Sequence, residues 1–171
     1  MINIQSYIRD IPNFPKEGIV FKDITPLLNN AEARAEVLKQ IKAKLPEVKI
    51  DKVVGVESRG FFFGILLAQE LGAGFVPVRK KGKLPFDTIS ASYDLEYGTD
   101  NLEIHTDAIQ KGENVLIHDD VLATGGTIKA VTELVERLGG NIVQINFLME
   151  LKFLNGREKI KEYNSHSILK Y

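Results

Sequence analysis

Two adjacent carboxylates followed by a short run of small, hydroxyl-bearing and glycine residues are the most chemically suggestive feature of the chain. The stretch reads Val115-Leu-Ile-His-Asp119-Asp120-Val-Leu-Ala123-Thr124-Gly125-Gly126-Thr127. An apolar run ends in the two acids, and a turn then opens onto an amphipathic pattern at Ile128, Val131, Leu134, Val135 and Leu138. Helical spacing there places Gly125-Gly126-Thr127 in the first turn of a helix, and Gly139-Gly140 stops it. The free N–H groups of such a turn, uncrowded by β-carbons, form a phosphate cradle, so Ala123 to Thr127 are the candidate phosphate-binding residues. Thr124 and Thr127 can add hydroxyl donors. Asp119 and Asp120 repel phosphate and suit instead the hydroxyls of a sugar, or a metal ion. Acids beside a phosphate turn therefore point to a ribose 5-phosphate. Under the plainer alternative, a simple strand-to-helix turn with Asp120 as a solvated cap, two carboxylates directly after the apolar Val115-Leu-Ile run and His118 have no task.

The same grammar occurs earlier. Val53-Val-Gly-Val56 reads as a buried strand, and Glu57-Ser58-Arg59-Gly60 follows it at the start of a helix, so Ser58 and Arg59 stand at a second anion site. An ordinary serine cap with a surface arginine is the competing reading. Next, Phe75-Val-Pro-Val78 delivers Arg79-Lys80-Lys81-Gly82-Lys83-Leu84-Pro85, a cation cluster that composition alone reads as a solvated loop. The three histidines have no metal-ligand spacing, and His118, within an apolar run, reads as a neutral, hydrogen-bonded core residue.

The 115–127 run resembles the 5-phosphoribosyl-1-pyrophosphate (PRPP) signature of the type I phosphoribosyltransferases, in particular their adenine-using branch. The resemblance covers most of the chain, from about Asp10 to Gly156, with four motifs in the family's order. It implies transfer of the 5-phosphoribosyl group from PRPP to adenine, giving AMP and pyrophosphate in purine salvage, through an oxocarbenium-like transition state. PRPP is then the co-substrate and Mg²⁺ the cofactor, held mainly by substrate oxygens and water rather than by protein ligands. The Glu57–Gly60 loop resembles the family's pyrophosphate loop, which puts Ser58 and Arg59 on the leaving group. An enzyme expelling pyrophosphate must balance several negative charges. Arg79 and Lys83, which belongs to an intact Lys-Leu-Pro element, are the stronger candidates for that work, Lys80 and Lys81 the weaker.

Gly18-Ile-Val20-Phe21-Lys22-Asp23-Ile resembles the family's adenine hood. By resemblance the backbone at Val20 pairs with the base and Phe21 stacks on it, while Lys22 stands where many relatives carry arginine. Without the resemblance, this proline-rich stretch reads as a loop pinned to the core by Phe14, Ile19 and Phe21. Ser92-Tyr93-Asp-Leu-Glu96-Tyr97-Gly98 resembles the catalytic loop, with Glu96 managing the purine's imidazole proton and Tyr93 or Tyr97 shielding the site. The catalytic set it implies is Glu96, Asp119, Asp120 and Arg59. Two alternatives stay open: a sister enzyme using a 6-oxopurine, and a non-catalytic PRPP-sensing regulator.

These residues need a scaffold that gathers strand ends. Strands each followed by a helix predict an α/β fold, a central mostly parallel sheet flanked by helices, with the site at the strands' C-terminal edge. A single domain over 1–171 is expected, with a small N-terminal hood over 1–30 and a flexible catalytic hairpin loop over 80–105. A helix is expected from Asn29, with Glu32 at capping-box spacing, as far as Pro46. Gly60 to Leu71 is apolar all round, so its helix is expected to bury more than one side, and the Phe61–Leu67 face is expected to form a homodimer. Pro77 suggests an edge strand or a strand end. Ile89, Ala91, Tyr93 and then Leu102, Ile104 alternate as in a hairpin or long excursion whose length suggests a lid. A strand over Ile142–Met149, a short Gly156-Arg157 turn and a charged helix within Leu151–Tyr163, and a terminal strand at Ile168-Leu169 complete the expectations, with Glu150 to Arg157 as scaffold.

At 171 residues, 44% hydrophobic and 26% charged, the chain has the balance of one globular domain able to bury about 70% of its unfolded surface. A net charge of −1 provides no general basic field, so no nucleic-acid partner is expected. The absence of cysteine removes disulfides and thiolate metal sites. No apolar run is long enough to span a bilayer and no signal-peptide pattern opens the chain, so no membrane partner is expected and a cytoplasmic location is.

Overall fold

Apolar residues at nearly every position of the 53–56 and 115–118 runs mark strands covered on both faces, and that is how they fold. The computed structural model describes residues 2–94 and 99–171, whose contacts gather into two compact units, Met1–Lys44 and Leu45–Tyr171.

The larger unit is a seven-stranded sheet. In chain order it holds β3 (Lys52–Val56), α3 (Gly60–Leu71), β4 (Gly74–Lys80), β5 (Thr88–Asp94), β6 (Thr99–His105), β7 (Asn114–Leu122), α4 (Gly126–Arg137), β8 (Asn141–Glu150) and β9 (Ser165–Lys170), where β1 and β2 belong to the smaller unit. The spatial order is β5-β6-β4-β3-β7-β8-β9, and the pairings are parallel except those made by β6. From β3 the chain moves outward through β4 to the β5–β6 hairpin, then returns to β7 on the other side of β3. The sheet therefore switches direction between β3 and β7. In open α/β sheets the crevice at such a switch, beyond the strands' C-terminal ends, is where ligands bind.

The helix starting at Gly126 buries Ile128, Val131, Leu134 and Val135, the stripe read from the sequence. Helix α3 buries Phe63, Gly64, Leu67 and Ala68, yet leaves Phe62 45% and Ile65 50% exposed, so its apolar character exceeds what this unit covers. Pro77 lies in β4, which is internal rather than an edge. The carbonyl of Val78 accepts from the Glu57 N–H (2.9 Å) on the β3 side, so Pro77, one residue earlier, turns its missing donor the other way. Pairing with β6 begins only at Arg79, and the absent N–H interrupts no ladder. The charged helix expected in 151–163 is replaced by two 3-10 turns, Lys152–Leu154 and Gly156–Ile160. Asn155 between them takes a left-handed conformation (φ 52°), which ends a right-handed helix. Among the described residues, no helix is long and apolar enough to cross a membrane.

The smaller unit holds a 3-10 turn (Ile4–Tyr7), an antiparallel hairpin of β1 (Arg9–Pro12) and β2 (Val20–Asp23), α1 (Thr25–Leu28) and α2 (Ala31–Lys42). The cap of α2 is Asn30, whose side chain accepts from the Ala33 N–H (2.9 Å), not Asn29. Asn29 is instead consumed in closing the short α1, whose Pro26 sits in the first turn where a missing N–H costs nothing. The helix ends at Lys42, short of Pro46.

Candidate active site

Strand β7 continues past the two acids to Leu122, so Asp119 and Asp120 sit inside a strand and point to opposite faces, rather than ending it. Asp120 is 4% exposed, and Arg59, from the loop after β3, places its Nε 2.8 Å from Asp120 Oδ2. Asp119 Oδ1 accepts from the Asp120 N–H at 2.9 Å. Burial raises the pKa of both. For Asp119 the neighbouring Asp120 charge adds to the effect and holds it well above the ordinary carboxylate value, whereas for Asp120 the Arg59 guanidinium opposes it. Two poorly hydrated carboxylates stand to gain from donors such as sugar hydroxyls.

Ala123, Thr124 and Gly125 follow directly. Gly125 has φ 79°, the left-handed region that turns the strand into α4, whose first residues are Gly126 and Thr127. Asp119, Ala123, Thr124, Gly125 and Thr127 wall a small hollow of about 50 Å³. A larger cavity of about 370 Å³ brings Ser58, Arg59, Asp119, Asp120, Ala123 and Thr127 together, with Glu57, Lys80 and Tyr93 also in its wall. The acids, the phosphate turn and the 57–60 loop are thus one place.

The cations divide differently from the sequence weighting. Arg79 and Lys83 are not in that wall: Arg79 Nη2 (3.3 Å) and Lys83 Nζ (2.5 Å) both reach Glu57 Oε1, and the Lys80 N–H donates to Glu57 Oε2 (2.9 Å). Burial alone raises the Glu57 pKa, but Lys83, the Lys80 N–H and Arg79 together outweigh it and hold it below the ordinary value. Lys80, weighted lower in the sequence, lines the cavity, and its ammonium lies 3.0 Å from Asp100, to which the Tyr93 hydroxyl also donates (3.2 Å). Lys81 is exposed. Glu57 and Asp100 are the residues sequence reasoning missed. An acid among expected anion-binding cations has no motif of its own, although Glu57 adjoins Ser58-Arg59. The Glu57–Ser58 peptide bond is cis. Glu103 is buried and accepts from the Gly82 N–H (2.9 Å), which fixes the turn that presents Lys83.

Glu96 and Tyr97 lie outside the described residues, while the β5–β6 hairpin that carries them is present as expected. In the smaller unit, Phe14 and Ile19 are 50% and 41% exposed, so the 13–22 stretch is not pinned through them. Phe14 meets Phe21 edge to face at 5.2 Å. The Ile19 carbonyl accepts from the Phe14 N–H (3.2 Å) on the β1 side. By alternation, Val20 turns its N–H and carbonyl to the free edge of β2, opposite Pro12, which has no N–H to give. Lys22 is tied to Asp10 at 2.7 Å.

His118 is fully buried and its Nδ1 meets Asn146 Oδ1 at 2.5 Å, as a neutral core histidine requires. Among the described residues, no group of three or more His, Cys, Asp or Glu could hold a metal. Asp120 is paired with Arg59 and Asp119 has one oxygen engaged, a donor set that fits a cation arriving with its ligand rather than one caged by protein.

Residues 22–168 match the family model described as phosphoribosyl transferase domain. The chain is 73% identical over 170 residues to the adenine phosphoribosyltransferase of Flavobacterium johnsoniae, covering 99% of this chain and all of that protein. The crystal structure of the adenine phosphoribosyltransferase from Thermoanaerobacter pseudethanolicus superposes with TM-score 0.95 at 54% identity, covering 98% of both chains. That of the Saccharomyces cerevisiae adenine phosphoribosyltransferase, complexed with D-2,5-dideoxy-2,5-imino-altritol 1,6-bisphosphate and adenine, gives 0.93 at 48% identity, covering 96% of this chain and 95% of that one.

Proposed function

Because the chain belongs to the phosphoribosyl transferase family, among its adenine phosphoribosyltransferases, we propose that it transfers the 5-phosphoribosyl group of PRPP to adenine, releasing AMP and pyrophosphate. The observation that carries this reading is the convergence of Asp119 and Asp120, the Ala123–Thr127 turn and Arg59 on one cavity at the sheet's switch point. The relatives are adenine phosphoribosyltransferases, which favours adenine over a 6-oxopurine and an enzyme over a PRPP-sensing regulator.

Breaking the bond between C1 of the ribose and pyrophosphate builds positive charge on the ribose and negative charge on the leaving group. Residues that hold both ends and match those charges lower the barrier. Backbone donors from Ala123 to Thr127 fix the 5-phosphate. Asp119 and Asp120 accept from the 2- and 3-hydroxyls and favour the oxocarbenium character beside them. Ser58 and Arg59 take the pyrophosphate, joined by Arg79 and Lys83 once these exchange Glu57 for the ligand. Mg²⁺, when bound on the pyrophosphate oxygens, supplies further charge neutralisation there. The base is read by the outward-facing backbone of Val20 and stacked by Phe21. Lys22, tied to Asp10, supports that strand rather than forking to the base. Glu96 receives the imidazole proton that adenine loses as its nitrogen bonds to C1.

The exposed Phe62 and Ile65 of α3 support a homodimer through that face. Sedimentation showing only monomer at micromolar concentration overturns it. The cysteine-free composition suits work in a reducing cytoplasm.

The test of the reaction is product formation from PRPP and Mg²⁺ with adenine, hypoxanthine and guanine offered separately. AMP from adenine alone is expected. IMP or GMP as the main product removes the base assignment, and PRPP binding without any product favours the regulator.

A further inference from the structure

The 5-phosphate turn is not held in shape by its own bonds alone. A β-carbon added to Gly125 would lie 2.4 Å from the Gly156 carbonyl oxygen. One added to Gly156 would lie 2.1 Å from the Ala123 carbonyl oxygen and 2.9 Å from the Gly125 nitrogen. The two backbones therefore touch with no side chain between them, which requires glycine on both sides. Gly156 opens the second 3-10 turn, and the next residue, Arg157, anchors that turn to the sheet.

Arg157 Nε and Nη2 donate to the two oxygens of Glu150 at 3.0 and 2.5 Å. Nη1 donates to the carbonyl and hydroxyl of Ser165 at 3.0 and 2.6 Å, and Nη2 also to Ser167 Oγ at 3.0 Å. A guanidinium has five N–H donors, and here each has a bond. Glu150 ends β8, is almost fully buried, and is held below its ordinary pKa by Arg157, so its carboxylate stays charged at neutral pH. The far end of the turn is pinned by the fully buried Ile160.

We propose that Arg157 is a positioning residue for the reaction: it clamps the Gly156 backbone against Ala123–Gly125 and so sets the phosphate turn before PRPP arrives. This rests on the reading of that turn as the 5-phosphate site. A turn formed in advance pays no ordering cost at binding, and its donors are already aimed. Lysine cannot replace the fork, since an ammonium is a single point of charge.

Arg157→Lys is expected to weaken ribose 5-phosphate binding, read by calorimetry, by about tenfold and to raise the KM for PRPP similarly. Pyrophosphate affinity, the KM for adenine and kcat should change by less than about twofold, since the clamp touches only one end of the substrate. Ser167→Ala, which removes one of the five acceptors, should give a smaller shift of the same kind. Ile41→Val, a core trim in the smaller unit, serves as a control that lowers Tm without moving the KM for PRPP. Gly156→Ala should reproduce the Arg157→Lys pattern more strongly, and if it fails to fold the other two variants carry the test. Equal weakening of ribose 5-phosphate and pyrophosphate, or no change in either, overturns the clamp. Failure of the underlying function is distinguishable, because it shows in the unmodified protein as absence of AMP, whereas the binding measurement needs no turnover.

Discussion

The two candidate anion-binding regions beside the sheet's switch point are built on opposite principles. At the β7–α4 end, the proposed donors are backbone N–H groups of a turn fixed by Gly125 and backed by Gly156. At the β3–β4 end, the donors are long cationic side chains already engaged, Arg79 and Lys83 by Glu57 and Lys80 by Asp100. The difference matches the fate of the groups proposed to bind there. The 5-phosphate stays on the sugar from substrate to product, so rigid donors that bind both equally do no harm. In the proposed reaction pyrophosphate must leave, and cations that can return to Glu57 and Asp100 would lower the cost of its departure. One end holds; the other exchanges.

The largest effect expected is at the acids between the two ends. Asp120→Asn should reduce turnover at least ~100-fold, the scale of losing one electrostatic contact to the transition state, and should leave Arg59 without its partner. Near-normal kcat removes Asp120 from the mechanism. Gly125→Ala attacks the rigid end directly, combining a left-handed φ with contact against Gly156. A displaced turn should cut kcat/KM for PRPP by roughly 30- to 100-fold while sparing the KM for adenine; a loss shared equally by both substrates would mean that the turn is not specific to one end. At the exchanging end, Glu57→Gln removes the competitor for Arg79 and Lys83. Pyrophosphate inhibition should tighten by about fivefold, since these pairs are partly exposed and screened. Weaker inhibition would show instead that Glu57 holds the cations in readiness, and the comparison would collapse into two preorganised ends.

How much of this was legible in sequence follows the same division. The glycine turn after β7 and the acids could be read as one local feature because backbone chemistry leaves a signature: glycines where no β-carbon fits, and acids a few residues before them. The alternation of strands and helices, and the stripe of α4, followed from periodicity. Glu57 and Asp100 were not legible in these roles, because their task is to meet cations 22 to 26 residues away or across a hairpin, and no spacing rule encodes that. Gly156-Arg157 was readable only as a scaffold, since its contacts to Ala123 and to Ser165 exist only once β7, β8 and β9 lie side by side. The charged helix expected within 151–163, beside a turn at Gly156-Arg157, is two 3-10 turns for a related reason, because the close contact of Gly156 with the turn after β7 outweighs the propensity of Arg-Glu-Lys.

Acid separates the two ends, with the smallest expected effect on catalysis at neutral pH. His118 adjoins Asp119 at the rigid end, and burial lowers its pKa to about 4 against the opposing hydrogen bond to Asn146 Oδ1. A histidine depressed in the folded state is protonated first in the unfolded chain, so between pH 6.5 and about 4 the unfolded state binds more protons. The His118 contribution to stability is therefore full above pH 6.5 and is lost on acidification through that window, by on the order of 3 kcal/mol, while the raised carboxyls of Asp119 and Asp120 oppose it. Glu57 behaves differently. Its depressed pKa keeps it charged, and its pairs with Lys83 and Arg79 intact, until the pH falls below the ordinary carboxylate range. Urea denaturation across pH 7 to 4 should thus show a larger loss on acidification in the unmodified protein than in His118→Leu, with the variant's activity at pH 7.5 within about twofold. If the variant keeps the full acid slope, the loss originates elsewhere, and the rigid end owes nothing to a neutral His118.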